Sequence, residues 1–239
     1  MKAFKIVLLA ICLTLIVGST LVAKDKGKKG ESAVAFTLDD SRLVPGKEAD
    51  YAKELQVKAL ESLTNLDLYL GQNDFASISA AYQASTDCIA LSEQCALQAL
   101  DLRKNVVAAQ AEINATGAGN AGGDAANLSM KTQEKLAALK SGKSKLSAEQ
   151  RGFFLVSLTS LAAAIALETK LVSSAKNYPD YVKGLGKLAQ VKEAKNLPEA
   201  AKMVSTLPGT ITSQLGTLAT YITIATTNGI EIPKEVKLP

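Results

Sequence analysis

Residues 152–167 read GFFLVSLTSLAAAIAL, a run of sixteen residues without a charged side chain. Arg151 precedes the run and Glu168 follows it. A helix on the surface of a bundle keeps polar residues on one face, whereas this run is apolar on nearly every face. We therefore expect residues 152–175 to form the central helix of a soluble bundle.

The same run has an alternative interpretation as a membrane-active segment that leaves the bundle and enters a bilayer. Its lipid contacts would then come from the large apolar side chains Phe153, Phe154, Leu155, Leu158, Leu161 and Ile165. A membrane-spanning helix needs about 20 apolar residues, and this shorter run also contains Ser157, Thr159 and Ser160. The interior position is therefore the favoured interpretation.

Apolar side chains recur every three or four residues along most of the chain, which is the helical repeat. From residue 49 the first such stripe comprises Tyr51, Leu55, Ala59, Leu63, Leu66 and Leu70. The second follows a cap at Asn73 or Asp74 and runs toward Ile113, with a break at residues 85–87 left open. The expected fold class is all-α: a single antiparallel helical bundle of about five to seven helices, spanning residues 49–229 after a signal peptide.

Short sequence signals divide this bundle into its helices. Residues 114–127 read NATGAGNAGGDAAN and should form a loop, because ordering so many glycines is unfavourable. A helix over residues 128–140 leads to Ser147 and Gln150, which fit a capping box at the start of the central helix. The turn at residues 177–180 should end that helix. Further helices are expected over residues 180–195, 198–205 and 211–227.

The last of these helices has the clearest apolar stripe: Ile211, Leu215, Leu218, Ile222 and Ala225. By the same repeat, Thr217 and Thr220 fall on other faces of the helix. Because threonine and isoleucine are mediocre helix formers, the segment should be helical only when it is docked. Gly229 should provide the left-handed cap, and residues 230–239 remain as a C-terminal tail.

The N-terminus has the three parts of a secretory signal peptide. Lys2 and Lys5 are followed by an uncharged run over residues 6–17 and by small residues that end at Ala23. We expect residues 1–23 to be removed and residues 24–48 to form a basic flexible leader. The chain is therefore expected to be exported, either to the periplasm or out of the cell.

Positive charge is confined to the N-terminal region. Residues 1–29 hold six lysines and one aspartate, while the whole chain has a net charge of +4, so the remainder carries a charge of −1. Proteins that bind nucleic acid by neutralising its phosphates need a folded domain with net positive charge. The charge of −1 therefore excludes this class of function. The leader cluster Lys24, Lys26, Lys28 and Lys29 is typical of a solvated tail, and its alternative role is weak contact with anionic lipid.

Cys88 and Cys95 are the cysteines that follow the signal peptide. An oxidising compartment favours a disulfide between them. Their spacing opposes it, because seven residues of unbroken helix separate the Cα atoms by about 10.5 Å, beyond the limit of about 7 Å. Both alternatives stay open, and the role is structural in either case because a redox C-x-x-C motif is missing.

The chain contains no histidine, the residue used most often as general base and metal ligand. Hydrolytic triads, zinc sites and haem attachment therefore lack their usual residues, and we expect no catalytic residue, no metal and no cofactor. Residues 142–144 match the end of a phosphate-binding P-loop, but Ala137 stands where that motif needs glycine. An enzyme is not expected.

These patterns favour a non-catalytic exported protein that acts by contact between a helix surface and an unknown protein partner. The alternative is a lipid-binding or membrane-active helical protein that uses residues 152–167. The oligomeric state stays open at this point.

Removal of the signal peptide can be tested directly. Because the apolar run ends in small residues at Ala23, the mature chain should begin at Lys24 or within a few residues of it. N-terminal sequencing of protein from the periplasmic fraction measures this. An intact Met1 on membrane-bound material would contradict the prediction.

Overall fold

The computed structural model describes residues 38–66, 70, 73–104 and 121–236, with the backbone alone for residues 121–129. Its helices are a short 3₁₀ helix (Asp40–Arg42), α1 (Glu48–Thr64), α2 (Phe75–Ala99), α3 (Ala121–Lys140), α4 (Ala148–Lys183), α5 (Lys187–Ala194) and α6 (Leu197–Thr227). No strand occurs within these described ranges, and the all-α class is confirmed. The expected signal peptide, most of the leader and residues 114–120 lie outside the described residues.

The central element is α4, which packs against α1, α2, α5 and α6. Nearly every side chain from Phe153 to Leu167 is buried. Ser157 and Thr159 find hydrogen-bond partners at short range, whereas the buried Ser160 Oγ has none among the described residues. The Ser157 carbonyl accepts a hydrogen bond from Ser92 Oγ of α2 at 2.8 Å, and Thr159 Oγ1 donates to the Leu155 carbonyl at 2.9 Å. The expectation of an interior helix over residues 152–167 is confirmed.

Two helix starts are fixed by side-chain caps. Ser147 Oγ accepts from the backbone N–H of Gln150 at 3.2 Å, while Gln150 Oε1 accepts from the N–H of Ser147 at 2.8 Å. This confirms the capping box. At the start of α2 the cap is Asp74, not Asn73, because Asp74 Oδ1 accepts from the N–H of Ser77 at 2.7 Å.

The boundaries of α2 and α3 differ from the sequence expectation. α2 continues through residues 85–87, where Thr86 Oγ1 donates within the helix to the Tyr82 carbonyl at 3.0 Å. It ends at Ala99 and does not run on toward Ile113. Residues 121–127 of the expected loop belong to α3. Alanine has the highest helix propensity, and the alanines of this segment oppose the effect of its glycines.

α4 and α6 each continue through a proline that was expected to mark a boundary. The prediction of a turn at residues 177–180 is wrong, because α4 extends to Lys183 with Pro179 inside it. The helix expected over residues 180–195 is therefore reduced to α5. The helices expected over residues 198–205 and 211–227 are joined through Pro208 in α6.

Packing explains why these prolines do not end their helices. A proline inside a helix costs about 3 kcal/mol, while burial of a large apolar side chain contributes about 1.5 to 3 kcal/mol. Pro179 is exposed, but Tyr178 and Val182 beside it are buried. Pro208 is likewise exposed next to the buried Leu207. Tertiary contacts on the inner face therefore offset the strain on the outer face.

In the apolar stripe of α6, Leu218 and Ala225 are completely buried as expected, whereas Ile211, Leu215 and Ile222 are partly buried against the core. Thr217 and Thr220 are also buried, with exposed fractions of 8% and 9%, so their assignment to other faces is wrong. Each hydroxyl donates to a carbonyl one turn earlier in α6 and needs no partner from another helix. The cap forms as expected, with Gly229 at φ 67°.

Leu218 gives a test of how strongly α6 is docked. Leu218→Ala should lower the free energy of unfolding by about 2 to 5 kcal/mol, because it removes a large buried side chain and leaves a cavity. Thr223→Ala, at an exposed position of the same helix, is the matched control and should be nearly neutral. Urea denaturation followed by circular dichroism measures both, and equal midpoints for Leu218→Ala and the parent would show that this face is not docked.

Candidate functional site

The six side chains considered for membrane contact all lie on α4. Phe153, Phe154, Leu158, Leu161 and Ile165 are at most 5% exposed, and Leu155 is partly buried. Within the described residues α4 is the one helix long and apolar enough to cross a membrane, but 78% of its most apolar window is buried inside the protein. Lipid contact through these side chains would require α4 to leave the core.

The two cysteines lie on α2 and are both free and buried. The disulfide that the sequence left open is not formed, because α2 is unbroken between Cys88 and Cys95 and a helix holds such positions about 10.5 Å apart. Burial raises the pKa of Cys88 to about 12 and raises that of Cys95 as well. Both thiols therefore stay protonated and act as small core side chains.

The carboxyl group of Glu168 is buried in the core, and no sequence pattern pointed to it. Glu168 of α4 is 2% exposed. Its Oε1 accepts from Ser85 Oγ of α2 at 3.0 Å and from Gln214 Nε2 of α6 at 3.2 Å. Glu168 Oε2 and Gln214 Oε1 have no hydrogen-bond partner within the described part of the chain. Burial raises the pKa of Glu168, and the hydrogen bonds from Gln214 and Ser85 offset only part of this rise.

An open groove lies where the ends of several helices meet, and we call it the α2–α3 groove. Its volume is about 420 Å³. The lining residues are Ala99, Leu100, Asp101, Glu134, Lys135, Ala138, Leu139, Ser144, Lys145, Leu146 and Gln150. Ala99, Leu100, Leu139 and Leu146 are the buried part of this lining, whereas its charged side chains are exposed. The groove therefore has an apolar floor and a rim with charges of both signs.

The C-terminus of α2 places an acidic side chain on the rim. Asp101 has φ 54°, a left-handed conformation that costs an ordinary residue roughly 1 kcal/mol or more. The conformation closes a helix-ending motif in which the Leu102 N–H donates to the Leu97 carbonyl at 2.9 Å. Asp101 Oδ2 also accepts from Gln150 Nε2 at 2.6 Å. The end of α2 is thus tied to the capping box that starts α4.

Two lysines of the rim contact neighbouring helix ends. Lys135 Nζ of α3 donates to the Leu100 carbonyl, and Lys145 Nζ donates to the Thr227 carbonyl at 2.6 Å. Cations are favourable at these positions, because the last carbonyls of a helix carry partial negative charge. Asn228 adds a further link, since its Oδ1 accepts from the N–H of Leu146 at 3.1 Å.

The structure also places the P-loop-like residues 142–144. They follow the end of α3, with Gly142 at φ 70° as its left-handed cap. A P-loop needs the opposite order, with the motif preceding the N-terminus of a helix whose N–H groups face phosphate. Within the described residues no cluster of three or more His, Cys, Asp or Glu side chains could hold a metal ion.

The capping box at Ser147 and Gln150 is the one part of the groove that the sequence predicted. Asp101 carried no local signal of its conformation, because glycine or asparagine is the usual residue at that position of a helix end. Comparisons with protein families, with curated proteins and with solved structures find no match to this chain. Its function is therefore inferred from the geometry of the chain itself.

The buried carboxyl gives a prediction of pH dependence. The pKa of Glu168 in the folded state is raised above its unfolded value near 4.5, so the folded state binds the proton more tightly. The contribution of protonated Glu168 to the free energy of unfolding is therefore complete below that value. It is lost as the pH rises through the folded-state pKa. Glu168→Gln keeps an acceptor for Ser85 and Gln214 but cannot ionise. It should raise the thermal midpoint at pH 8 and change it much less at pH 4.

Calorimetry at the two pH values measures this difference. Glu231→Gln, at an exposed position after α6, is the control and should leave the midpoint nearly unchanged at both. An equal change at pH 4 and pH 8 for Glu168→Gln would show that ionisation of Glu168 does not contribute.

Proposed function

We propose that this chain is an exported, non-catalytic helical-bundle protein that acts by contact with another protein, and that the α2–α3 groove seats an apolar side chain of that partner. The proposal includes the N-terminal signal peptide and an antiparallel arrangement of the helices. The observation that carries it is an open groove of about 420 Å³ with buried leucines at its floor and charged side chains at its rim.

This arrangement has the composition of a protein–protein contact site. Such sites have an apolar centre that excludes water and a polar rim, and much of the binding energy comes from a few side chains that fill pockets near the centre. Leu100, Leu139 and Leu146 supply the centre. The exposed Glu134 beside Lys135 supplies charges of both signs at the rim, which suits a partner with complementary charges.

The polar groups of the groove support binding over catalysis. A catalytic nucleophile needs a general base within hydrogen-bond reach. Asp101 is engaged with Gln150, and Lys135 and Lys145 are engaged with main-chain carbonyls. These side chains hold helix ends together, which is a structural role compatible with a rigid contact surface.

The alternative function, lipid binding through residues 152–167, receives less support. Those residues form the centre of the core between α1, α2 and α6. Their transfer to a bilayer would expose the inner faces of all three helices to water. The groove, in contrast, is open in the folded protein.

Filling the groove tests the proposal. Ala138 lines the groove, whereas its neighbour Ala137 is exposed and lies outside the lining. A photo-crosslinking amino acid at Ser144, which also lines the groove, should form a discrete adduct with one protein in the producing cell. Ala138→Trp should reduce that adduct by about tenfold or more, because loss of an anchor pocket costs at least about 1.4 kcal/mol.

Ala137→Trp is the matched control and should leave the adduct unchanged. Both variants should keep the circular dichroism spectrum and thermal midpoint of the parent, which separates loss of contact from loss of folding. An adduct that Ala138→Trp does not diminish, or the absence of any adduct, would contradict a partner in the groove.

A further inference from the structure

The short helix α5 carries an exposed apolar surface at the end of the bundle remote from the groove. Leu188 is 89% exposed and Val191 is 76% exposed. They are three residues apart and therefore lie on one face of the helix. Single exposed apolar residues are common, but these two are adjacent on one turn.

Lysines lie on the same face. Lys192 and Lys195 follow Leu188 and Val191 by four residues each, which places all four side chains together. The Lys195 backbone keeps the helical conformation, with φ −62° and ψ −22°. We call these four residues the α5 face, and Lys187 lies at its edge. Across the part of the chain that the structure describes, none of these three lysines forms a salt bridge.

The opposite side of α5 is held against the bundle. Tyr178 of α4 is completely buried, and its hydroxyl lies 2.6 Å from Glu193 Oε2 and 2.9 Å from the Glu193 carbonyl. Ring contacts with Phe75 and Tyr181 fix the tyrosine in turn. Glu193 is thus held on the inner side of α5, and within the described residues it forms no salt bridge with these lysines. The α5 face is thus a fixed surface with apolar side chains and unpaired positive charge.

We propose that the α5 face binds an anionic bilayer surface, with Leu188 and Val191 at the level of the lipid headgroups and Lys192 and Lys195 on the phosphates. Amphipathic helices that lie in a membrane interface combine leucine-type side chains with lysines in this way, and anionic lipid attracts lysines close to the surface. The inference goes beyond the proposed protein contact and uses another part of the molecule.

A protein partner fits the α5 face less well. A stable protein interface buries about 800 Å² on each side, far more than two aliphatic side chains of a short helix provide. Lysine is also depleted in protein–protein interfaces, whereas on a charged membrane it is favourable. This contact differs from the insertion of residues 152–167, because the core stays intact.

A tryptophan reporter tests the position of the face. The chain contains no tryptophan, so Leu188→Trp gives a single tryptophan that can be excited selectively. Its emission should shift to shorter wavelength with vesicles of equal parts phosphatidylglycerol and phosphatidylcholine, and should not shift with phosphatidylcholine alone. Val57→Trp, at a position on α1 that is 55% exposed, is the control and should not respond. An unshifted Leu188→Trp spectrum with the anionic vesicles would overturn the proposal.

Flotation of the mature chain with the same vesicles tests the charges. Lys192→Gln combined with Lys195→Gln should weaken binding to anionic vesicles by about tenfold or more, and Leu188→Ser combined with Val191→Ser should also weaken it. Lys140→Gln combined with Lys143→Gln, at exposed lysines elsewhere, is the matched control. A variant with glutamine at all four leader lysines should still float. Binding that needs the leader lysines but not Lys192 and Lys195 would overturn the assignment to α5.

Discussion

The burial of α4 is the constraint on which the other elements depend. Phe154, Leu158, Leu167 and Leu171 are completely buried along it, and each such side chain contributes about 1.5 to 3 kcal/mol when it is removed from water. A helix that is apolar on nearly every face cannot be stable alone in water, so α1, α2 and α6 must cover it. The reverse also holds, because α6 is rich in threonine and gains its helicity from this docking.

The same constraint determines where polar groups can be placed. Glu168 ends the apolar run on the side of α4 that faces α2 and α6, so its carboxyl group must find donors on those helices. Ser85 and Gln214 supply them, and the three side chains join α2, α4 and α6 within the core. Thr217 and Thr220 are also buried polar residues, but their hydroxyls find acceptors within their own helix.

The features that the sequence predicted are those with a local physical cause. The all-α class follows from the helical repeat, and the capping box at Ser147 and the cap at Gly229 depend on only a few neighbouring residues. The continuity of α4 through Pro179 was not predictable in this way, because it depends on the burial of Tyr178 against another part of the chain. The groove and the α5 face were also missed, since each is defined by what neighbouring elements leave uncovered.

The two surfaces lie near opposite ends of α4. Gln150 in its first turn borders the groove, and Lys183 ends the helix shortly before α5. At a rise of about 1.5 Å per residue, this separates them by roughly 50 Å. A bilayer in contact with the α5 face would therefore not cover the groove. The long buried helix that stabilises the fold would also keep the proposed membrane contact and the proposed protein contact apart, so that both could be occupied at the same time.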